Sequence, residues 1–106
     1  MKTAQLQNML KGWFVGNFEP SLYKTNEVEV GVKYYDKGAH EQKHYHKVSL
    51  EITTIVSGEV KMNDKFFKAG DIVILEPNEP TDFTSITDST TVVVKIPSVK
   101  DDKYLI

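Results

Sequence analysis

Residues 38–58, GAHEQKHYHKVSLEITTIVSG, hold every histidine of the chain, His40, His44 and His46, with Glu51 five positions beyond the last of them. Imidazole is the commonest metal ligand and the side chain that ordinarily titrates near neutral pH, so the cluster points to a metal site or to acid–base chemistry. His44 and His46 stand at i and i+2. On a strand they project to one side with Cβ atoms roughly 7 Å apart, near enough for both rings to converge on one ion. Glu51 has the wrong parity for an unbroken strand and reaches that side only through a bulge or bend between Lys47 and Leu50; past the bend, Glu51, Thr53 and Ile55 share a face. The chain has no cysteine, which removes thiolate ligands, thiol nucleophiles and disulfides, so a metal here must be held by His, Asp or Glu.

The elements that must position these groups are almost all strands. In EVEVGVKYYDKG, Val28, Val30, Val32 and Tyr34 alternate with Glu27, Glu29, Lys33 and Tyr35, the period of a half-buried strand. Short β-rich runs then recur between turn signals: EITTIV before Ser57-Gly58, EVKM before Asn63-Asp64, FF before Ala69-Gly70-Asp71, IVILE before Pro77-Asn78, DFTSI, and TTVVVKIP. Such spacing predicts an all-β sandwich or barrel of about eight to ten strands. Its interior is expected from Val28, Val30, Val32, Ile55, Val60, Met62, Ile72, Ile74, Val92 and Val94. Only TAQLQNMLK reads as helical, a short N-terminal segment of about two turns. With 106 residues and 40% apolar content, one domain is expected: an N-terminal extension over 1–26, a barrel core over 27–96, and a tail over 97–106 that frays or lies across the surface.

Charge narrows the partners. Thirteen lysines face fifteen acids for a net charge of −2, with no basic block to follow a phosphate backbone, so nucleic acid is not expected as a partner. None of the basic residues is arginine, the residue whose planar fork grips phosphates in two parallel bonds. The N-terminal residues lack a signal peptide's apolar segment and nothing is long enough to span a bilayer, which predicts a cytoplasmic protein without a membrane partner.

Gly38, His44, His46, Glu51 and Gly58 reproduce without a gap the motif G-x5-H-x-H-x3,4-E-x6-G, and by it the chain is identified as a member of the cupin superfamily. The resemblance implies a single-domain jelly-roll β-barrel whose interior holds a divalent metal on His44, His46 and Glu51. The second cupin motif, G-x5-P-x-G-x2-H-x3-N, is matched less well: GDIVILEPNEPTDF supplies Gly70 and Pro77 with one residue too many between them, Glu79 for the glycine, and Asp82 in the slot of the last histidine ligand. The resemblance therefore implies His44, His46, Glu51 and Asp82 as ligands, or a triad of two histidines and Glu51 if Asp82 points away, sets that suit Mn, Fe, Ni or Zn. The chain also resembles small stand-alone cupins along nearly its whole length, through GWFVGNFEPS and KIPSVKDDKYL.

An H-x-H on a strand is by itself more often a surface pair; the spaced glutamate and glycines distinguish this one. His40 lies outside the motif and is expected in solvent or behind the ligands rather than as a ligand itself. Tyr34, Tyr45 and Phe83 are placed to line the mouth and bind a small-molecule ligand, or to fill core. Trp13, Phe14 and Phe18 are expected at a barrel end or in a homodimer interface, since open sheet edges and apolar aromatics need cover. Three functions remain. One is metal-dependent chemistry on an oxygen-rich metabolite such as a sugar or a hydroxy or keto acid. The second is non-catalytic small-molecule binding or an accessory role. The third is metal-free sugar-nucleotide isomerisation or epimerisation with His44 and His46 as acid and base, which lacks an arginine for the pyrophosphate.

Overall fold

The computed structural model describes residues 1–106 as eleven strands and one 3-10 turn at Leu6–Asn8. In chain order the strands are β1 (Trp13–Gly16), β2 (Tyr23–Lys24), β3 (Glu29–Tyr35), β4 (His40–Tyr45), β5 (Leu50–Ser57), β6 (Glu59–Met62), β7 (Lys65–Lys68), β8 (Ile72–Leu75), β9 (Thr81–Ser85), β10 (Ser89–Ile96) and β11 (Tyr104–Leu105). They form two facing sheets of jelly-roll type, one ordered β2-β1-β3-β10-β5-β8 and the other β11-β4-β9-β6-β7. The expected helix is reduced to the 3-10 turn: no side chain caps it at Gln5, and two turns alone cannot repay helix nucleation. No helix is long and apolar enough to cross a membrane.

Local sequence explains the joints. Asn63 and Asp64, at φ 49° and 64°, form the two-residue turn between β6 and β7 that their residue types favour. Gly58, at φ +83°, ends β5 where an added Cβ would lie 2.3 Å from the carbonyl oxygen of Asp88, so the last glycine of the motif is required by both conformation and space. The segment after Ile96 does not fray. β11 pairs with β4 at Tyr45 and His44, and Ser98 and Asp102 are buried.

The core differs from the expected list. Ile55, Val60 and Met62 are buried, joined by Leu75 and Phe83, with Tyr35, Phe67 and Val73 packed against them. Val30, Val32, Val92, Val94, Ile72 and Ile74 lie on the other face of the six-stranded sheet. Register fixes this: fully buried Thr91 pairs with Lys33 and Ile55, and buried Val93 with Gly31 and Thr53, so their neighbours Val92 and Val94 point outward beside Val32 and Val30. Ile72 and Ile74 are 67% and 52% exposed. Val28, half-buried, precedes β3 and is no part of the core cluster. Along β3 the inward residues are Glu29, Gly31, Lys33 and Tyr35, because that end of the molecule encloses a polar cavity.

Candidate functional site

His44 lies near the end of β4 and His46 just beyond it, while Glu51 is the second residue of β5 in the opposite sheet. The bend that Glu51 requires is thus the crossing between sheets. Its backbone is held by Asp102, whose carboxylate accepts hydrogen bonds from the N–H groups of Lys47 (2.8 Å), Val48 (3.1 Å) and Ser49 (2.9 Å). The two histidines and Glu51 line one cavity of about 220 Å³, shared with Glu41, Tyr35, Trp13 and several lysines. A wider groove of about 620 Å³ shares Lys11, Lys33, Tyr35 and Glu41 with it and opens it to solvent.

His44 Nδ1 donates to the carbonyl oxygen of Gln42 at 2.8 Å, which places the proton on Nδ1 and leaves Nε2 free as an acceptor. The His44 and His46 rings stand 5.4 Å apart between centroids, inclined by 62°. Only two buried side-chain polar atoms have no hydrogen-bond partner, His46 Nε2 and Thr91 Oγ1, and both residues line this cavity. Burial, joined by the charge of Lys95, pushes the His46 imidazole down to about 4 against the opposing pull of Asp102. Burial raises the Glu51 carboxyl, with Lys95 opposing. Tyr35 donates to Glu41 Oε1 at 3.1 Å, and burial with that carboxylate raises its phenol well above the ordinary range. The donors match a divalent ion in kind: two imidazoles whose Nε2 atoms have no hydrogen-bond partner and a desolvated carboxylate. As placed, however, no three His, Asp or Glu side chains stand close enough to share one ion, so gathering them requires side-chain rotation.

Asp82 is the correction. Thr81, Phe83 and Ser85 face inward on β9, so Asp82 faces outward, where its carboxylate accepts from Asn63 N–H at 2.8 Å. Adjacent residues of a strand cannot both enter the cavity, and the position opposite His44 belongs to Thr81, which is 4% exposed. Tyr34, 72% exposed, stays out of the cavity and lines the wider groove beside it, while its neighbour Tyr35 lines both. Phe83 lines the cavity from the core, its ring tilted by 38° against that of Tyr35 with centroids 4.5 Å apart. Tyr45 instead stacks on Tyr104 with centroids 5.5 Å apart. His40 is exposed, bonded through Nδ1 to Thr84 Oγ1 at 2.8 Å. Trp13 enters the cavity because Gly31 leaves it room; a Cβ there would lie 2.7 Å from its ring. Gly31 in a strand otherwise of large residues was the sequence signal for that approach.

The depressed His46 value sets a pH dependence for protein stripped of divalent ions. The unfolded chain takes up this proton near 6.5 and the folded one only near 4, so the contribution is fully present above pH 6.5 and is lost as pH falls toward 4. The total is at most about 3 kcal/mol. Glu51, raised, works in the opposite sense. The difference in urea stability between the parent and His46→Gln isolates the histidine: it should shrink steadily from pH 6.5 to 4, and a difference independent of pH would refute the assignment.

No family model matches the sequence, and no curated protein is significantly similar to it. Solved structures are. An uncharacterized conserved protein with a double-stranded β-helix domain from Klebsiella pneumoniae superposes with a TM-score of 0.69 at 26% identity, covering 76% of this chain and 71% of that one. An RmlC-like cupin from Shewanella frigidimarina gives 0.67 at 24% identity, with 72% and 71% covered. The DMSP lyase DddQ from Ruegeria pomeroyi gives 0.71 at 17% identity over 97% of this chain and 59% of its own. The likeness is one of fold.

Proposed function

We propose, for a chain that is a cupin by its fold, that the cavity binds a divalent metal ion through His44, His46 and Glu51 and, beside it, a small oxygen-rich metabolite. The observation that carries this reading is His46 Nε2, a buried ring nitrogen without a partner, beside a second imidazole whose Nδ1 bond leaves its own Nε2 free. An unpaired buried polar atom costs about 1–3 kcal/mol, and an ion bound to the unprotonated nitrogen removes that cost. With Asp82 outward, the donors are two histidines and one carboxylate, a set that suits Mn, Fe, Ni or Zn. Such an ion supplies a Lewis acid to a bound oxygen. The chain's own groups exclude water from one side, through Phe83 and Met62, and offer Tyr35, Glu41 and Thr91 to the ligand. That enzymes such as the DMSP lyase share the fold supports a catalytic role without naming a reaction. Elemental analysis of protein purified without chelator tests the reading: near-stoichiometric Mn, Fe, Ni or Zn supports it, and metal-free protein that takes up none on dialysis overturns it. The metal-free acid–base alternative is weakened by His46, since an imidazole titrating near 4 is neither a proton donor nor an effective base at neutral pH.

The chain is also proposed to form a homodimer, for a reason other than Trp13, whose ring is turned into the cavity. On the outer face of the six-stranded sheet, the row Val32, Val92, Thr54, Ile72 lies beside the row Val30, Val94, Ile52, Ile74 across four strands without a charge. A flat apolar face of this kind is self-complementary about a two-fold axis. Val92→Lys, at its centre, should turn a dimer into a monomer in analytical ultracentrifugation; a parent that is monomeric at high concentration would refute it.

A further inference from the structure

Resting on the reading of the cavity as a small-molecule site, we propose that its lysines select a hydroxy or keto acid over the neutral polyol or sugar of the same skeleton. Lys11, Lys33, Lys95 and Lys103 all line the cavity, brought there from four separate stretches of chain. The Lys33 and Lys95 ammonium groups lie 4.9 and 5.1 Å from the centroid of one ring, that of Trp13. Lys95 is paired with Glu29 at 3.6 Å. Lys33, half-buried, has no carboxylate within ion-pair distance and donates only to the carbonyl oxygen of Lys11 at 2.6 Å. Burial lowers its pKa, and Lys11, Lys95 and Lys103 add to that against Glu41.

Lysine heads ordinarily stay in water, so several turned toward one opening, one of them desolvated, are a costly arrangement unless an anion meets them. Even with Glu29 counted beside Glu41 and Glu51, the four lysines outnumber the carboxylates, in a chain whose net charge is −2. The unpartnered Thr91 hydroxyl, directly opposite Lys33 on the neighbouring strand, offers the same ligand a hydrogen bond. Ammonium groups are point charges without the bidentate fork of arginine, which suits a carboxylate held at one oxygen. At about 220 Å³ the space is smaller than pockets for drug-sized ligands, which restricts the acid to about six carbons or fewer. The acid's carboxylate sits among the lysines, with its hydroxyl or keto oxygens toward His44, His46 and Glu51.

Calorimetric titration with gluconate against sorbitol, and glycerate against glycerol, tests this on both Mn-loaded and chelator-treated protein. Each acid should bind at least about tenfold more tightly than its neutral partner, the worth of one charge-assisted hydrogen bond, and the preference should fall with added salt. Lys33→Met should remove most of that preference without lowering the melting temperature, since it also removes a desolvated charge. Lys103→Met, outside the sheets, should reduce it, and Lys65→Met, on exposed β7, should leave it intact. Equal binding within each pair, failure of both acids to bind at millimolar concentration, or lysine variants that keep the full preference overturn the proposal. Protein that takes up no metal on dialysis yet keeps the acid preference overturns the metal reading alone; metal-loaded protein indifferent to charge overturns this one alone.

Discussion

His46→Ala is expected to purify with little or no divalent metal, and Glu51→Gln with much less than the parent, while Asp82→Ala keeps the parental content. Even groups that merely orient a ligand are worth about 10–100-fold in metal affinity, so loss of a direct ligand from a set of three should exceed about 100-fold. His44→Ala belongs with His46→Ala, because its Nδ1 bond to Gln42 aims Nε2 as a donor to the site. Asp82 belongs elsewhere, since its carboxylate is engaged with Asn63 on the outer side of β9. The same contrast should appear in thermal melts. An ion bound only by the folded state raises its melting temperature, so a chelator should lower that of the parent and of Asp82→Ala and leave that of His46→Ala unchanged. Equal metal content in the parent and His46→Ala would end the metal reading, and the orphaned Nε2 would then be explained by a ligand or by water.

What the sequence made legible, and what it did not, divides along a physical line. The spacing of Gly38, His44, His46, Glu51 and Gly58 is a statement about the pleat and a turn, and both hold: the histidines share a cavity, the chain bends before Glu51, and Gly58 occupies a place where no Cβ fits. Alternation, by contrast, tells which residues share a face and leaves open which face is inside. Val30 and Val32 are expected inward because apolar faces usually are. Here the inside of β3 is a polar cavity and the outside an apolar sheet face, so Tyr35 meets the histidines' cavity while Tyr34 reaches only the groove beside it. Asp82 fell to the same ambiguity, since one extra residue before Pro77 shifts a motif count by one and reverses a side chain's direction. The lysines of the cavity were invisible as a group, because Lys11, Lys33, Lys95 and Lys103 meet only through tertiary pairing.

Asp102→Ala is expected to be the most destabilising single substitution outside the core, although it removes a carboxylate from a segment that reads as a polar tail. Asp102 is a buried residue whose carboxylate closes the turn between β4 and β5, its Oδ1 on Lys47 N–H and its Oδ2 on Val48 and Ser49 N–H. Burial alone would raise its pKa; the three backbone donors outweigh burial and hold it below the ordinary carboxylate value. A depressed folded-state pKa contributes stability present at neutral pH and lost only as the solution is acidified through that lower value. Alanine leaves those N–H groups without their acceptor, and although part of the turn regains water, the loss should reach about 3 kcal/mol. In a chain of this size that lowers the melting temperature by roughly 10–20 °C. Asparagine keeps one acceptor oxygen without the charge and should fall between. Because the turn runs from His46 to Glu51, Asp102→Asn should also weaken metal binding while the fold persists, an effect that a tail of no consequence would not produce. Calorimetry on the parent and the two variants decides it: a shift under about 2 °C for alanine would show that the turn holds itself, and that His46 owes its position to the sheets alone.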